Sequence, residues 1–359
     1  MSATKQAVAS SCDHTADSTK PDGRHDTKSD SYMLLLVNQY CDLCQFDKAK
    51  EKCQLLLQSL DARSQKYSEI KLEVLTRLGF IESMTSDYTG AEKTYKRLAN
   101  QYKRGPYANR ESLASTLLNL GRVHLEQTQI AEAEENLRNA AILCEKSKRP
   151  GAKSTFALVL RVKADCEVAK KNYAEAESLL KRAISIYTSS RTTKHDFLPE
   201  LAQTNSSLAH LLIHQNRMTD AEDLLRKELS DHRTPIGPQS IYFDAQKQFA
   251  SVLKNEGKVD EALDQFIQLA IGEERSSGPK SELVASALLP VAQIYAQKHL
   301  IEPAEETYKR ICEIEDHVEA PDLHILKQCL EEYIQFLQSQ NNTSRAESFR
   351  ARLNSLEHR

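Results

Sequence analysis

Along most of the chain, apolar residues recur at spacings of three and four, the period of an amphipathic helix. The pattern is itself periodic. A large or polar residue, two further mostly polar ones, then Ala and usually an acid recur as FDKAKE, YTGAEK, IAEAEE, YAEAES, MTDAED, VDEALD, IEPAEE and TSRAES. The alanines are Ala49, Ala91, Ala133, Ala176, Ala221, Ala262, Ala304 and Ala346, separated by 42, 42, 43, 45, 41, 42 and 42 residues. Thirteen residues before the Ala comes a large side chain, such as Leu36, Leu78, Leu120, Leu208, Phe249, Val291 or Tyr333. The residue after it is usually small: Gly79, Gly121, Ala164, Ala209, Ala250, Ala292. Four residues beyond the Ala the chain is apolar again, as at Cys53, Tyr95, Leu137, Leu180, Leu225, Phe266 and Tyr308. Each period therefore predicts two antiparallel amphipathic helices around a short polar turn. About eight such pairs fill residues 31–359.

The small residues have a packing reason. Two antiparallel helices approach closely only where one side chain shrinks to Gly or Ala and the opposing helix drops a large residue into the gap. A lone pair cannot bury both of its faces, so each needs its neighbours. Pro106, Pro150, Pro199, Pro235, Pro238, Pro279 and Pro321 are expected between repeats, and Pro303 in the first turn of a second helix, where Pro is tolerated. Pro290 falls inside a predicted first helix, where it removes one hydrogen bond and should bend the chain. The eighth repeat is degenerate, with Ile334 at the small position and Arg350 at the apolar one, and its polar last helix should act as a solubilising cap.

Composition agrees with an all-α solenoid. Hydrophobic residues are 40% and charged residues 28%, with only 10 Gly and 10 Pro in 359 residues. A net charge of -3 gives no reason to expect nucleic acid or an anionic membrane as partner. No run of about 18 apolar residues suggests membrane insertion. Without a signal-peptide core the expected location is cytoplasmic and the eight Cys are expected as thiols. Residues 1–30, rich in Ser, Thr, Asp and Lys and without Leu, Ile or aromatic side chains, read as a disordered polar tail.

The repeated block resembles the tetratricopeptide repeat family over roughly residues 31–359. The period near 42 is similar to the kinesin light chain variety, with LLNLGRVHLEQTQIAEAEENLRNAAIL (117–143) the best match and TNSSLAHLLIHQNRMTDAEDLL (204–225) close behind. Kinesin light chains carry a long heptad region before their repeats. The 30 polar residues found in that place here give no expectation of attachment to a motor. The resemblance implies a superhelix whose first helices line a concave groove, with groove positions about 18, 15, 14, 11, 8 and 7 residues before each Ala. Polar groups at those positions are Arg77, Asn119, Arg122, Arg161, Asp165, Gln203, His210, Lys247, Gln248, Lys254 and Gln293. Asn, Gln and Arg can pair the amides of an extended peptide and match its charge. A non-catalytic adaptor that binds a protein or peptide partner of acidic character is the leading expectation. The site would be drawn from Arg77, Asn119, Arg122, Arg161, His210, Lys247 and Gln248. A ligand- or peptide-sensing regulatory repeat protein is the alternative. The chaperone-tail carboxylate clamp is not matched by any three consecutive repeats.

Other chemistry is weak. His210 and His214 share a helix face but have no third ligand. Cys41 and Cys44 form a CxxC without a second pair. No phosphate loop, nucleophile elbow or kinase set occurs, so neither enzyme activity nor a metal or other cofactor is expected. The many acids alternate with Lys and Arg as i, i+4 pairs of about 0.3 kcal/mol each.

Overall fold

The computed structural model describes residues 26–43, 45–62, 69–104, 109–145, 150–189, 198–231, 239–317 and 323–357. Among them it places sixteen helices and no strand. The first four pairs are α1 (Asp26–Asp42) with α2 (Phe46–Ala62), α3 (Glu69–Met84) with α4 (Tyr88–Arg104), α5 (Arg110–Glu126) with α6 (Ile130–Glu145), and α7 (Pro150–Ala169) with α8 (Tyr173–Ser189). The second four are α9 (Leu198–His214) with α10 (Met218–Asp231), α11 (Gln239–Asn255) with α12 (Val259–Ser277), α13 (Glu282–Gln297) with α14 (Ile301–His317), and α15 (Leu323–Ser339) with α16 (Thr343–Glu357). These are the eight pairs expected, and the fold is of the α-solenoid class. The chain divides into two compact units between Gln127 and Thr128, in the turn of the third repeat.

The signature alanine sits near the start of every second helix, and its side chain is sealed. Seven of the eight are 0% exposed and Ala346 is 2% exposed. The close approach expected at the small position is visible at Gly79. A Cβ there would lie 2.7 Å from Cε1 of Tyr95, the large residue four places beyond Ala91. Gly272 of α12 meets Phe243 of α11 in the same way, at 2.6 Å. The unit that begins the chain has its own core, with Val37, Cys53, Leu60, Val74, Leu75, Ile81 and Leu98 at its centre. The other unit runs a continuous core from Ala157 to Ala346, which includes Leu180, Leu225, Leu253, Ile294 and Tyr333.

The turn inside seven of the eight pairs is built alike, the corresponding residue of the first pair, Cys44, lying outside the described residues. The residue five places before the Ala has positive φ at Ser86, Thr128, Lys171, Asn216, Gly257, His299 and Asn341, between 58° and 79°. Around it the backbone closes as a Schellman motif, with Asp87 N–H donating to Glu82 O at 2.8 Å and Ser86 N–H to Ser83 O at 3.3 Å. The same pair of bonds recurs around Lys171, Asn216, Gly257, His299 and Asn341.

The start of the first helix and the places of two prolines are adjusted. α1 begins at Asp26, inside the stretch read as tail, whereas residues 1–25 lie outside the described residues. Pro150 opens α7 and Pro199 is the second residue of α9, so both start helices where a missing N–H costs nothing. Pro106, Pro235, Pro238 and Pro321 lie outside the described residues. α13 runs unbroken from Glu282 to Gln297 with Pro290 within it.

Candidate functional site

The sequence register places the site on the faces of the odd-numbered helices, and in the first unit that face contains a cleft. α3 presents Arg77, Phe80 and Met84, spaced i, i+3, i+7, so they form one stripe. α5 presents Asn119, Arg122 and Glu126 with the same spacing. Between the stripes lies a cleft of about 230 Å³ lined by Phe80, Ser83, Met84, Tyr88, Tyr95, Asn119, Arg122, Val123 and Glu126. Its floor is Tyr95 of α4, seated where Gly79 has no side chain. Burial raises the Tyr95 phenol, against a Ser83 hydrogen bond and the nearby positive charge of Arg122.

The cleft walls are partly apolar and open. Phe80 is 46% exposed and Met84 55%. Arg77 and Arg122 are both exposed, and among the described residues neither is held by an ion pair. Two unpaired guanidinium groups beside exposed apolar side chains can accept a carboxylate and an apolar side chain together.

In the second unit the same face is largely occupied by its own side chains. Lys247 Nζ donates to Ser286 Oγ at 3.0 Å. Lys254 Nζ donates to Gln293 Oε1 at 2.7 Å, and Gln293 Nε2 to Glu332 Oε1 at 2.9 Å. This ladder crosses α11, α13 and α15 in steps of 39 residues. Burial holds the Lys254 ammonium below its ordinary pKa. Gln248 is buried at 9% exposure. Arg161 and Asp165 are half-buried on α7, whereas His210 and Gln203 are exposed on α9. Burial raises Asp244, against the opposing influence of Lys247 and His210 nearby. Of the residues expected from the register, Asn119 and Arg122 line one cleft, and Arg77 lies outside its lining, one turn before Phe80 on α3. Sequence counting passed over Phe80 and Met84, which hold the same register positions as Arg122 and Glu126, because only polar residues were sought.

The other candidates take structural places. His214 packs against the Tyr173 ring at 5.3 Å. Cys44 lies outside the described residues. Asn205 of the first sequon is buried and donates to Glu228. No helix among the described residues is long and apolar enough to cross a membrane.

Residues 113–147 match the tetratricopeptide repeat family model. No curated protein matches the chain. Among solved structures, BtubC (BKLC) from P. vanneervenii is 20% identical, with 65% of this chain and 91% of that one covered at a TM-score of 0.58. The STAND protein with a tetratricopeptide repeat sensor, PH0952 from Pyrococcus horikoshii, is 13% identical and gives 0.63 over 93% of this chain and 53% of that one. The apo form of RapI is 11% identical and gives 0.58 over 91% and 98%. At these identities the likeness is one of fold. With the matched repeat at 113–147 and its register carried through all eight helix pairs, the chain resembles tetratricopeptide repeat proteins, and its 42-residue period resembles that of kinesin light chains.

Proposed function

We propose that this chain is a non-catalytic, cytoplasmic interaction scaffold that holds a peptide segment of a partner against the faces of its first helices. The observation that carries this reading is the cleft of the first unit, where unpaired Arg122 lies with exposed Phe80 and Met84 in one lining and Arg77 stands one turn before Phe80 on α3. An extended peptide with an acidic residue next to an apolar one fits that chemistry. Asn119, in the stripe with Arg122, can pair a peptide amide through both its carbonyl and its NH₂. Arg161, His210, Lys247 and Gln248 of the second unit are secondary positions. Lys247 and Gln248 are already engaged or buried, so the first unit carries most of the affinity in this reading.

Binding of an acidic peptide library to the full chain tests it. Arg77→Glu and Arg122→Glu should each weaken the selected peptides at least about tenfold, the scale of one charge-assisted pair. Lys247→Glu should change binding less. Unchanged affinity after reversal at both Arg77 and Arg122 would falsify the proposal.

A further inference from the structure

Two cysteines meet at one inter-repeat junction. Cys312 stands eight residues after Ala304 on α14, and Cys329 seventeen before Ala346 on α15. At other junctions these two register positions hold ordinary buried apolar residues, such as Leu57 and Val74, or Ala270 and Ala287. At the junction of α14 with α15 both are thiols, 4% and 0% exposed, with Sγ to Sγ 4.0 Å apart. Cys329 Sγ also lies 3.8 Å from the carbonyl oxygen of Tyr308. That separation is van der Waals contact, and a disulfide would shorten it to about 2.05 Å.

We infer that Cys312 and Cys329 form a redox site, a pair of buried thiols that a peroxide converts to a disulfide stapling the seventh repeat to the eighth. This goes beyond the scaffold reading and does not depend on it. In the first step the Cys312 thiolate attacks the peroxide, an S–O bond forms, the O–O bond breaks and water leaves once a proton is taken up. In the second the Cys329 sulfur attacks the resulting sulfenic acid, S–S forms, S–O breaks and a second water leaves. The balance is two thiols and one hydrogen peroxide to one disulfide and two waters, with the peroxide reduced and both sulfurs oxidised.

The surroundings suit this division of roles. The Cys329 thiol donating to it, with Arg352 nearby, holds Cys312 below an ordinary thiol in spite of burial, while Cys329 is pushed up. Cys312 is therefore the more readily ionised sulfur of the two and the one that attacks first. The oxidant reaches it during local opening of the junction, a sub-global motion that packed helices sample without unfolding.

The sequence makes the bond easy to read. Trypsin cuts after Arg310, Lys327 and Arg345, so the two cysteines fall in separate peptides, 311–327 and 328–345. The full native chain is treated with hydrogen peroxide and digested without reductant. The expected product is these two peptides joined, lighter by two hydrogen atoms than their sum and separated by dithiothreitol. Cys53, Cys144 and Cys166, each buried elsewhere, are internal controls. Cys329→Ser should abolish the joined pair and leave oxidised Cys312, visible with a sulfenic-acid probe. In the oxidised chain native-state cleavage at Lys327 should slow about tenfold or more, because an 18-residue loop is closed. Failure to form the pair while other thiols oxidise overturns the site. Equal yield in urea-unfolded chain also overturns it, since sequence proximity would then suffice. A bond that leaves cleavage at Lys327 unchanged overturns the staple.

Discussion

At the residue scale, the turn position five before the alanine, described in seven of the eight repeats, is a consistent feature of the chain and one of the least obvious in its sequence. Its occupants are Ser, Thr, Lys, Asn, Gly, His and Asn, all at positive φ. A left-handed conformation costs a residue with a Cβ about 1 kcal/mol relative to Gly. Lys171→Gly, at an exposed turn with φ 64°, should therefore stabilise the chain by up to about 1 kcal/mol, less the extra freedom Gly has when unfolded. A urea midpoint shifted downward would count against that reading. Gly79 makes the opposite case. It lies in a helix, where Ala has the better propensity, yet its missing Cβ admits the Tyr95 ring. Gly79→Ala should cost about 1–3 kcal/mol through overpacking and should also weaken peptide capture, because Tyr95 floors the cleft. A stabilised variant would show that the ring shifts freely.

At the element scale, successive repeats are tied by charges in a fixed register. The residue after the signature alanine pairs with the turn of the following repeat: Lys50 with Asp87 at 2.7 Å, Glu134 with Lys170 at 2.6 Å, Glu177 with Arg217 at 2.6 Å, and Glu222 with Lys258 at 2.6 Å. Neighbouring second helices are joined in another register, Asp61 to Arg97 and Glu274 to Arg310, both at 2.8 Å. The sequence showed an acid after the alanine and suggested i, i+4 pairs, which do form, as between Glu177 and Lys181. It hid the longer ties, because they depend on how adjacent pairs are offset. The same limit applies to the site. Helix number and pairing were legible from eight alanines. The ladder Lys254–Gln293–Glu332 was not, because each member looks like a solvated polar residue until the next first helix is laid beside it. The ties also set an acid response. The Lys258 hydrogen bond holds the nearly buried Glu222 carboxyl below its ordinary range, whereas burial holds Glu273 above it. Between the folded and unfolded pKa of Glu222 the unfolded chain binds more protons, so its contribution is full above about pH 5 and fades as pH falls through the folded value. For Glu273 the folded chain binds more protons, so its contribution is full below about pH 4 and is lost as pH rises. Urea midpoints from pH 3 to 7 should thus lose part of their acid slope in Glu222→Gln and gain slope in Glu273→Gln. Equal changes of the same sign in both variants would refute the assignment.

At the scale of the whole molecule, a repeat array stores stability in nearest-neighbour interfaces, so damage should stay local. Tyr333 offers a direct probe. It is 0% exposed, stacks on Tyr308 at 5.2 Å and meets Phe349 at 4.7 Å, joining α14, α15 and α16. It stands beside Ile334, the large residue at the small position of the eighth repeat, and packs on Phe349 of the polar α16. Tyr333→Ala should cost about 3–5 kcal/mol at that junction, the range for deleting a buried aromatic side chain. In a two-state globule such a loss would lower amide protection everywhere. In an array it should fall on α14 to α16 first and diminish toward α9, while α1 to α4, with their own core, keep their exchange rates. Hydrogen exchange followed by peptide mass spectrometry separates these patterns, and a uniform rise from α1 to α16 would mean that the chain folds as one cooperative body.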